Sequence, residues 1–190
     1  MRAFFRLLLS KKRMPDAKTE LVYATIEEQL AAALPELRPA AEQYWRVEGD
    51  PGQDSGAYIF FESMFGCYVE VLLALHPSPS RDRLLRRAFG FVEDMFASRD
   101  LKVGELAYVG LFEGRDSWWI VRAQQFIGRS AAAQLDRFDS GWRSFSPSDV
   151  PAGESQWRQI IDLYNVRAVI ASELAAEGLR LDDIPGETHA

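Results

Sequence analysis

The chain has 190 residues, of which 47% are hydrophobic and 26% charged, with a formal net charge of −6; these values are ordinary for a soluble globular protein and suggest neither a disordered nor a membrane class. That length supports one domain rather than two. A single cysteine, Cys67, excludes an intramolecular disulfide framework and points to a reducing, cytoplasmic compartment.

Charge is unevenly spread. Arg2, Arg6, Lys11, Lys12 and Arg13 are basic with no acid among the first 13 residues, so the rest of the chain carries about −11. An acidic body of this kind is repelled by nucleic acid phosphates and attracted to cationic partners. Residues 1–13 also hold the apolar run Phe4, Phe5, Leu7, Leu8 and Leu9. The order of charge and apolar run does not match a secretory signal, and the run is too short for a membrane span. Three readings stay open: a basic amphipathic helix on a lipid surface, a helix docked on the domain, or an extension upstream of a working start at Met14. The expected organisation is therefore a 1–13 extension, a single helical domain over 14–178 and a flexible tail over 179–190.

From Thr19, Val22, Ile26, Leu30, Ala33 and Leu34 share one helical face, which Pro35 ends. A second helix is expected to start near Pro39 and turn Ala40, Ala41, Tyr44 and Trp45 inward. The stretch from Gly49 to Gly56 reads as loop. Residues 57–75 are apolar nearly all round, which predicts a central helix contacted on several sides, with Cys67 as a buried thiol. His76 to Pro79 break it. Ser80 is then placed to cap a helix bearing Leu84, Leu85, Ala88, Phe89, Val92, Met95 and Phe96, and after the Ser98–Asp100 turn a second apolar run, Leu101, Val103, Leu106, Ala107, Val109, Leu111 and Phe112, ends at Glu113 and Gly114. So short a turn predicts an antiparallel hairpin. Gly66, Gly90, Gly104 and Gly110 fall inside these helices, which predicts close approach between helices there.

Asp116 or Ser117 is expected to cap one long helix carrying Trp119, Ile120, Ala123, Phe126, Ile127, Ala131, Leu135 and Phe138. Asp139 to Gly153 reads as a loop pinned by Trp142 and Phe145, and a last helix runs from about Glu154 to Glu177 until Gly178 stops it. No alternating strand pattern occurs. The fold class is all-α: a single-domain helical bundle or a short antiparallel stack of helical hairpins.

Chemistry-bearing patterns are sparse. His76 and His189 are far apart, no zinc motif is present, and the Gly49–Gly56 loop has no phosphate-binding lysine. No catalytic residue, metal ligand or cofactor is expected. Glu62 and Glu113 form a candidate polar cluster; if they converge they hold protons or a divalent ion, and otherwise they pair with arginines such as Arg86, Arg87 or Arg122. The stronger candidate is a protein-binding stripe of Trp118, Arg122, Gln125 and Arg129 opposite the apolar face, since Trp and Arg dominate binding hot spots. Because Trp118 and Trp119 are adjacent, they cannot point the same way. One is exposed, or it is covered by the hairpin or by the loop carrying Trp142.

The hairpin, with its Ser-Arg-Asp turn and second helix closing on Val109, Gly110, Leu111, Phe112 and Glu113, resembles an uncharacterised family of small bacterial helical proteins. The resemblance covers about residues 19–138. It implies a HEAT-like stack of hairpins, and some similar proteins are suspected to act as immunity partners of secreted toxins. It implies no catalytic residues. The first reading is thus a non-enzymatic cytoplasmic protein that binds another protein, such as a cationic toxin or effector. The alternatives are a carboxylate-based metal-dependent hydrolase and a membrane-surface adaptor acting through residues 1–13.

Overall fold

A computed structural model describes residues 20–48, 56–138, 141–146 and 166–180. The described residues form helices and turns with no strand, so the domain is all-α. Residues 1–13, the loop from Gly49 to Ser55, the first part of the last predicted helix and the tail beyond residue 180 lie outside them.

After a short 3-10 turn at Tyr23–Thr25 come α1 (Ile26–Ala33) and, beyond a second 3-10 turn at Pro35–Leu37, α2 (Arg38–Glu48). Pro35 and Pro39 both sit where a first turn leaves N–H groups unused anyway. The apolar run is one continuous helical rod in three parts: α3 (Gly56–Phe60), a π-helical segment (Phe61–Gly66) and α4 (Cys67–Ala74). Every α4 residue except Glu70 is buried, as expected of a central helix. By length and composition the rod is apolar enough to cross a bilayer, but 72% of its window is buried inside the domain.

The hairpin follows as α5 (Pro79–Ala97), α6 (Leu101–Ala107) and a second π-helical segment (Tyr108–Phe112). The N-cap of α5 is Ser78 rather than Ser80: its hydroxyl accepts from the Arg81 N–H at 3.2 Å, and Pro79 takes the first helical position. Asp100 caps α6, accepting from the Lys102 N–H at 3.1 Å. Its other oxygen accepts from the Tyr23 N–H at 2.9 Å, which ties the hairpin turn to the start of the domain. The Glu113 N–H donates to the Tyr108 carbonyl at 3.0 Å, an i→i+5 bond, and Gly114 then takes φ +70° and stops the helix.

The two π segments face each other. A Cβ on Gly110 would lie 2.9 Å from Phe61 Cβ, and one on Gly66 would lie 3.7 Å from the Gly110 carbonyl oxygen. These two glycines therefore mark the close approach that the sequence suggested. Gly90 does not: nothing lies within 4 Å of its missing side chain.

The long helix expected after Ser117 is broken. It consists of α7 (Ser117–Ala123), a 3-10 turn (Gln124–Phe126) and α8 (Arg129–Phe138). The break at Ile127 and Gly128 lets Glu93 of α5 enter, accepting from the Ser130 and Ala131 N–H groups. Trp142 packs under the body with its indole N–H on Asp136 at 2.8 Å, and Gln124 donates to the Trp142 and Phe145 carbonyls. Finally α9 (Val166–Ala176) lies against α2 and the Pro35–Leu37 turn, with an Arg83–Glu177 ion pair to α5. Gly178 ends it at φ +75°, and the Leu179 N–H returns to the Leu174 carbonyl at 3.0 Å.

Aromatic rings knit the core. Tyr44, Trp45, Phe60, Phe61, Phe65 and Phe91 form one contact series, and Phe126, Phe89, Trp119, Phe112 and Phe96 form another. Such pairs add about 0.5–1.5 kcal/mol each beyond the area they bury.

Candidate functional site

Two concave features among the described residues bear on function. The larger is a groove of about 560 Å³ between α6, the second π segment and the end of α8. The helical pitch of α6 turns Leu101 outward, where it is 85% exposed, while Val103 and Leu106 go to the core. The π turn then presents Tyr108 and Val109 on the same side. On the far wall Phe138, 60% exposed, stacks against Tyr108 with ring centroids 4.4 Å apart. Gly104 leaves the floor open, and Glu105 and Arg137, both exposed, stand on the rim. This is a largely apolar trough with Asp100 and Glu105 as its acidic groups and Arg137 as its basic one. Sequence periodicity alone missed it, because Leu101 and Val109 read as members of the core stripe.

The second feature is a cavity of about 290 Å³ at the C-terminal end of α4, lined by Leu73, Ala74, Leu75, His76, Pro77, Arg81, Val121, Arg122 and Gln125. The last carbonyls of α4 need donors, and two arginines supply them. Arg81 Nε donates to the Leu72 carbonyl at 2.8 Å and its Nη2 to Leu73 at 3.5 Å; Arg122 Nη1 donates to the same Leu73 oxygen at 2.8 Å and to Ala74 at 3.2 Å. Burial holds both guanidiniums below their usual pKa, and at Arg81 the Arg122 charge pushes the same way while Asp82 opposes it. Arg81 pairs with Asp82 at 3.2 Å. Arg122 has no carboxylate partner among the described residues; its guanidinium lies 5.6 Å from the Trp118 ring.

The proposed stripe is only partly assembled. Trp118 is buried together with Trp119, so the ring is covered rather than displayed. Arg122 is half-buried and Gln125 exposed, and these two share the cavity. Arg129 is exposed but belongs to α8, beyond the helix break, and does not line the cavity. Glu62 and Glu113 are both exposed, and neither side chain makes a hydrogen bond or ion pair among the described residues. The arginines expected to answer them are engaged elsewhere: Arg87 with Glu36, Arg86 with Asp82 and Arg122 with the α4 carbonyls. Among the described residues no three His, Cys, Asp or Glu side chains are grouped so as to hold a metal ion.

A family model described as a domain of unknown function, DUF7674, matches residues 27–137. The chain belongs to the DUF7674 family. Comparison with the curated proteins and with the solved structures gave no match. The DUF7674 match runs from the first turn of α1 almost to the end of α8, so it takes in Arg81, Arg122 and nearly all of the groove.

The DUF7674 region also contains two buried carboxylates, Glu27 and Glu36, and a partly buried one, Glu70, each tied to a helix junction. Glu36 accepts from the Tyr68 hydroxyl and pairs with Arg87 at 2.5 Å; burial, together with the Glu36 charge, pushes the Tyr68 phenol well above its usual pKa. Glu70 pairs with Arg115, whose Nε also caps the Leu111 carbonyl at 2.9 Å, while burial raises the Glu70 pKa against the pull of Arg115. Glu27 accepts from the Trp45 indole at 2.6 Å, but its second oxygen is buried without a partner. These groups join one helix to another and lie in neither concavity, which is the behaviour of structural ion pairs rather than of a reactive centre.

Proposed function

We propose that this protein is a non-enzymatic binding module that takes an amphipathic helical segment of another protein into the α6–α8 groove. The observation that carries this reading is that Leu101, Val109 and Phe138 are left exposed together along one trough, whereas the other exposed large hydrophobics among the described residues, Val22, Val47 and Ile59, line neither concavity. Exposed contiguous apolar surface on a soluble domain marks an interaction site. A helix docks in such a groove through side chains spaced three and four apart. Its flanking charges meet Glu105 on one rim and Arg137 on the other, which fixes its direction.

The partner class we favour is a cationic toxin or effector, neutralised by an acidic binder of bacterial, cytoplasmic origin. The net charge of −6 supports electrostatic steering of a basic partner, and the family resemblance points to immunity. The test is selection of helical peptides from a displayed library on the immobilised parent, followed by titration against Leu101→Asp and Phe138→Asp. The expected result is enrichment of basic peptides with an apolar stripe, each binding at least about tenfold more weakly to both variants, as for loss of an interface anchor. Peptides that bind the variants as tightly as the parent would remove the groove from the account.

A further inference from the structure

A guanidinium presents two edges to a planar oxyanion, and the parallel Nε–H and Nη2–H form the side-on one. Arg122 spends only Nη1 on the protein, on the Leu73 and Ala74 carbonyls. Its Nε–H and Nη2–H make no hydrogen bond among the described residues. Two carbonyls hold the head of the side chain, and the Trp118 ring flanks it at 5.6 Å. A cation held this way, half out of water and with no carboxylate beside it, is preorganised for an anion.

The surroundings add to this. Arg81, only 3% exposed, converges with Arg122 on the Leu73 oxygen, so two positive charges meet at one carbonyl, and Asp82 pairs with Arg81 and Arg86 but not with Arg122. Gln125 and His76 supply polar groups at the mouth, and Leu73, Ala74, Leu75, Pro77 and Val121 supply apolar wall. The volume of about 290 Å³ limits the occupant to a small molecule.

We propose that this cavity binds a small organic carboxylate, with the carboxylate bidentate on the Nε/Nη2 edge of Arg122 and the hydrocarbon part against Val121 and Pro77. A planar carboxylate matches the fork, and the apolar wall favours a short alkyl chain over a bare inorganic anion. The site shares no lining residue with the α6–α8 groove and stands or falls without it.

The experiment is calorimetric titration of the full chain with sodium butyrate, sodium acetate and inorganic phosphate at constant ionic strength, with tryptophan fluorescence as a second readout. Saturable butyrate binding, about tenfold tighter than acetate for its two extra methylenes, is expected. Arg122→Lys keeps the charge and loses the fork, and should weaken butyrate at least about tenfold. If that variant does not fold, Val121→Glu serves instead, because it sets a tethered carboxylate beside Arg122 and should abolish butyrate binding. No saturation by butyrate in the parent, phosphate binding as tight as butyrate, or unchanged butyrate affinity in the folded variant would each overturn the proposal.

Discussion

Glu93 on α5 accepts the backbone N–H of Ser130 at 2.6 Å and so caps a helix on which it does not lie. Its second oxygen takes the Ala131 N–H at 3.1 Å. Gly128 occupies the N-cap position of α8, where a side chain would ordinarily do this, and a Cβ there would come within 2.4 Å of the Glu93 carboxylate.

Glu93→Ala should therefore destabilise the domain by about 0.5–2 kcal/mol, the usual loss for a missing cap. Gly128→Ala should do the same in the parent by displacing the carboxylate, and should cost nothing further once Glu93 is alanine. Chemical denaturation of the four-member cycle checks this, and additive effects would contradict the shared mechanism. The pH dependence has a definite sign. Burial pushes the Glu93 pKa up, but the Ser130 and Ala131 N–H groups outweigh it and hold the carboxyl below its ordinary value. Its contribution is thus fully present above the ordinary carboxylate range and is lost as acid titrates the folded-state group.

At the crossing of the π segments the neighbour of Gly110 is Phe61 Cβ, an atom fixed to the backbone. Gly110→Ala must push the two rods apart and should destabilise by about 1–3 kcal/mol, as overpacking does. Gly90→Ala, with open space around it in α5, should stabilise by up to about 1 kcal/mol through helix propensity. Melting temperatures, moving about 2–4 °C per kcal/mol at this size, should shift in opposite directions for the two variants.

Glu27 makes a third case. Burial raises its pKa, the Trp45 indole N–H opposes that, and the neighbouring Glu28 charge adds to it. A raised carboxyl favours the fold while it is protonated, and that contribution is lost as pH rises through the folded-state value. Glu27→Gln keeps an acceptor for Trp45 and removes the buried charge. It should melt higher than the parent at pH 8, with the gap closing as pH falls toward the ordinary carboxylate range. Equal gaps at pH 8 and pH 4.5 would show that the carboxyl is not perturbed.

Much of the framework was legible because it rests on local rules. Apolar residues at helical spacing mark α1 and the α5–α6 hairpin, all-round apolarity marks the central rod, and Gly114 and Gly178 stop helices as such glycines do. Tertiary partners were not legible. The break before α8 depends on Glu93, which lies 37 residues away from Ser130, and no local signal announces it. A helix wheel separates Trp118 from Trp119 and so makes Trp118 a candidate for display, yet packing covers both. Arg122 and Gln125 were singled out for their residue type, and the structure gives them a different setting, a cavity at a helix end rather than a flat stripe. The groove went unread because Leu101 fits the core pattern in sequence yet stands at the first turn of α6, outside the contact.

The facing π turns carry an evolutionary constraint. Each holds one residue more than an α-helix of the same rise, which rotates all that follows by roughly 100° about the axis. Removing the surplus residue from Phe61–Gly66 would swing Glu70 away from Arg115, and removing it from Tyr108–Phe112 would swing Arg115 away from Glu70. The angular phase of the two rods is therefore a joint property, so a deletion in one segment is tolerable only with a compensating change in the other.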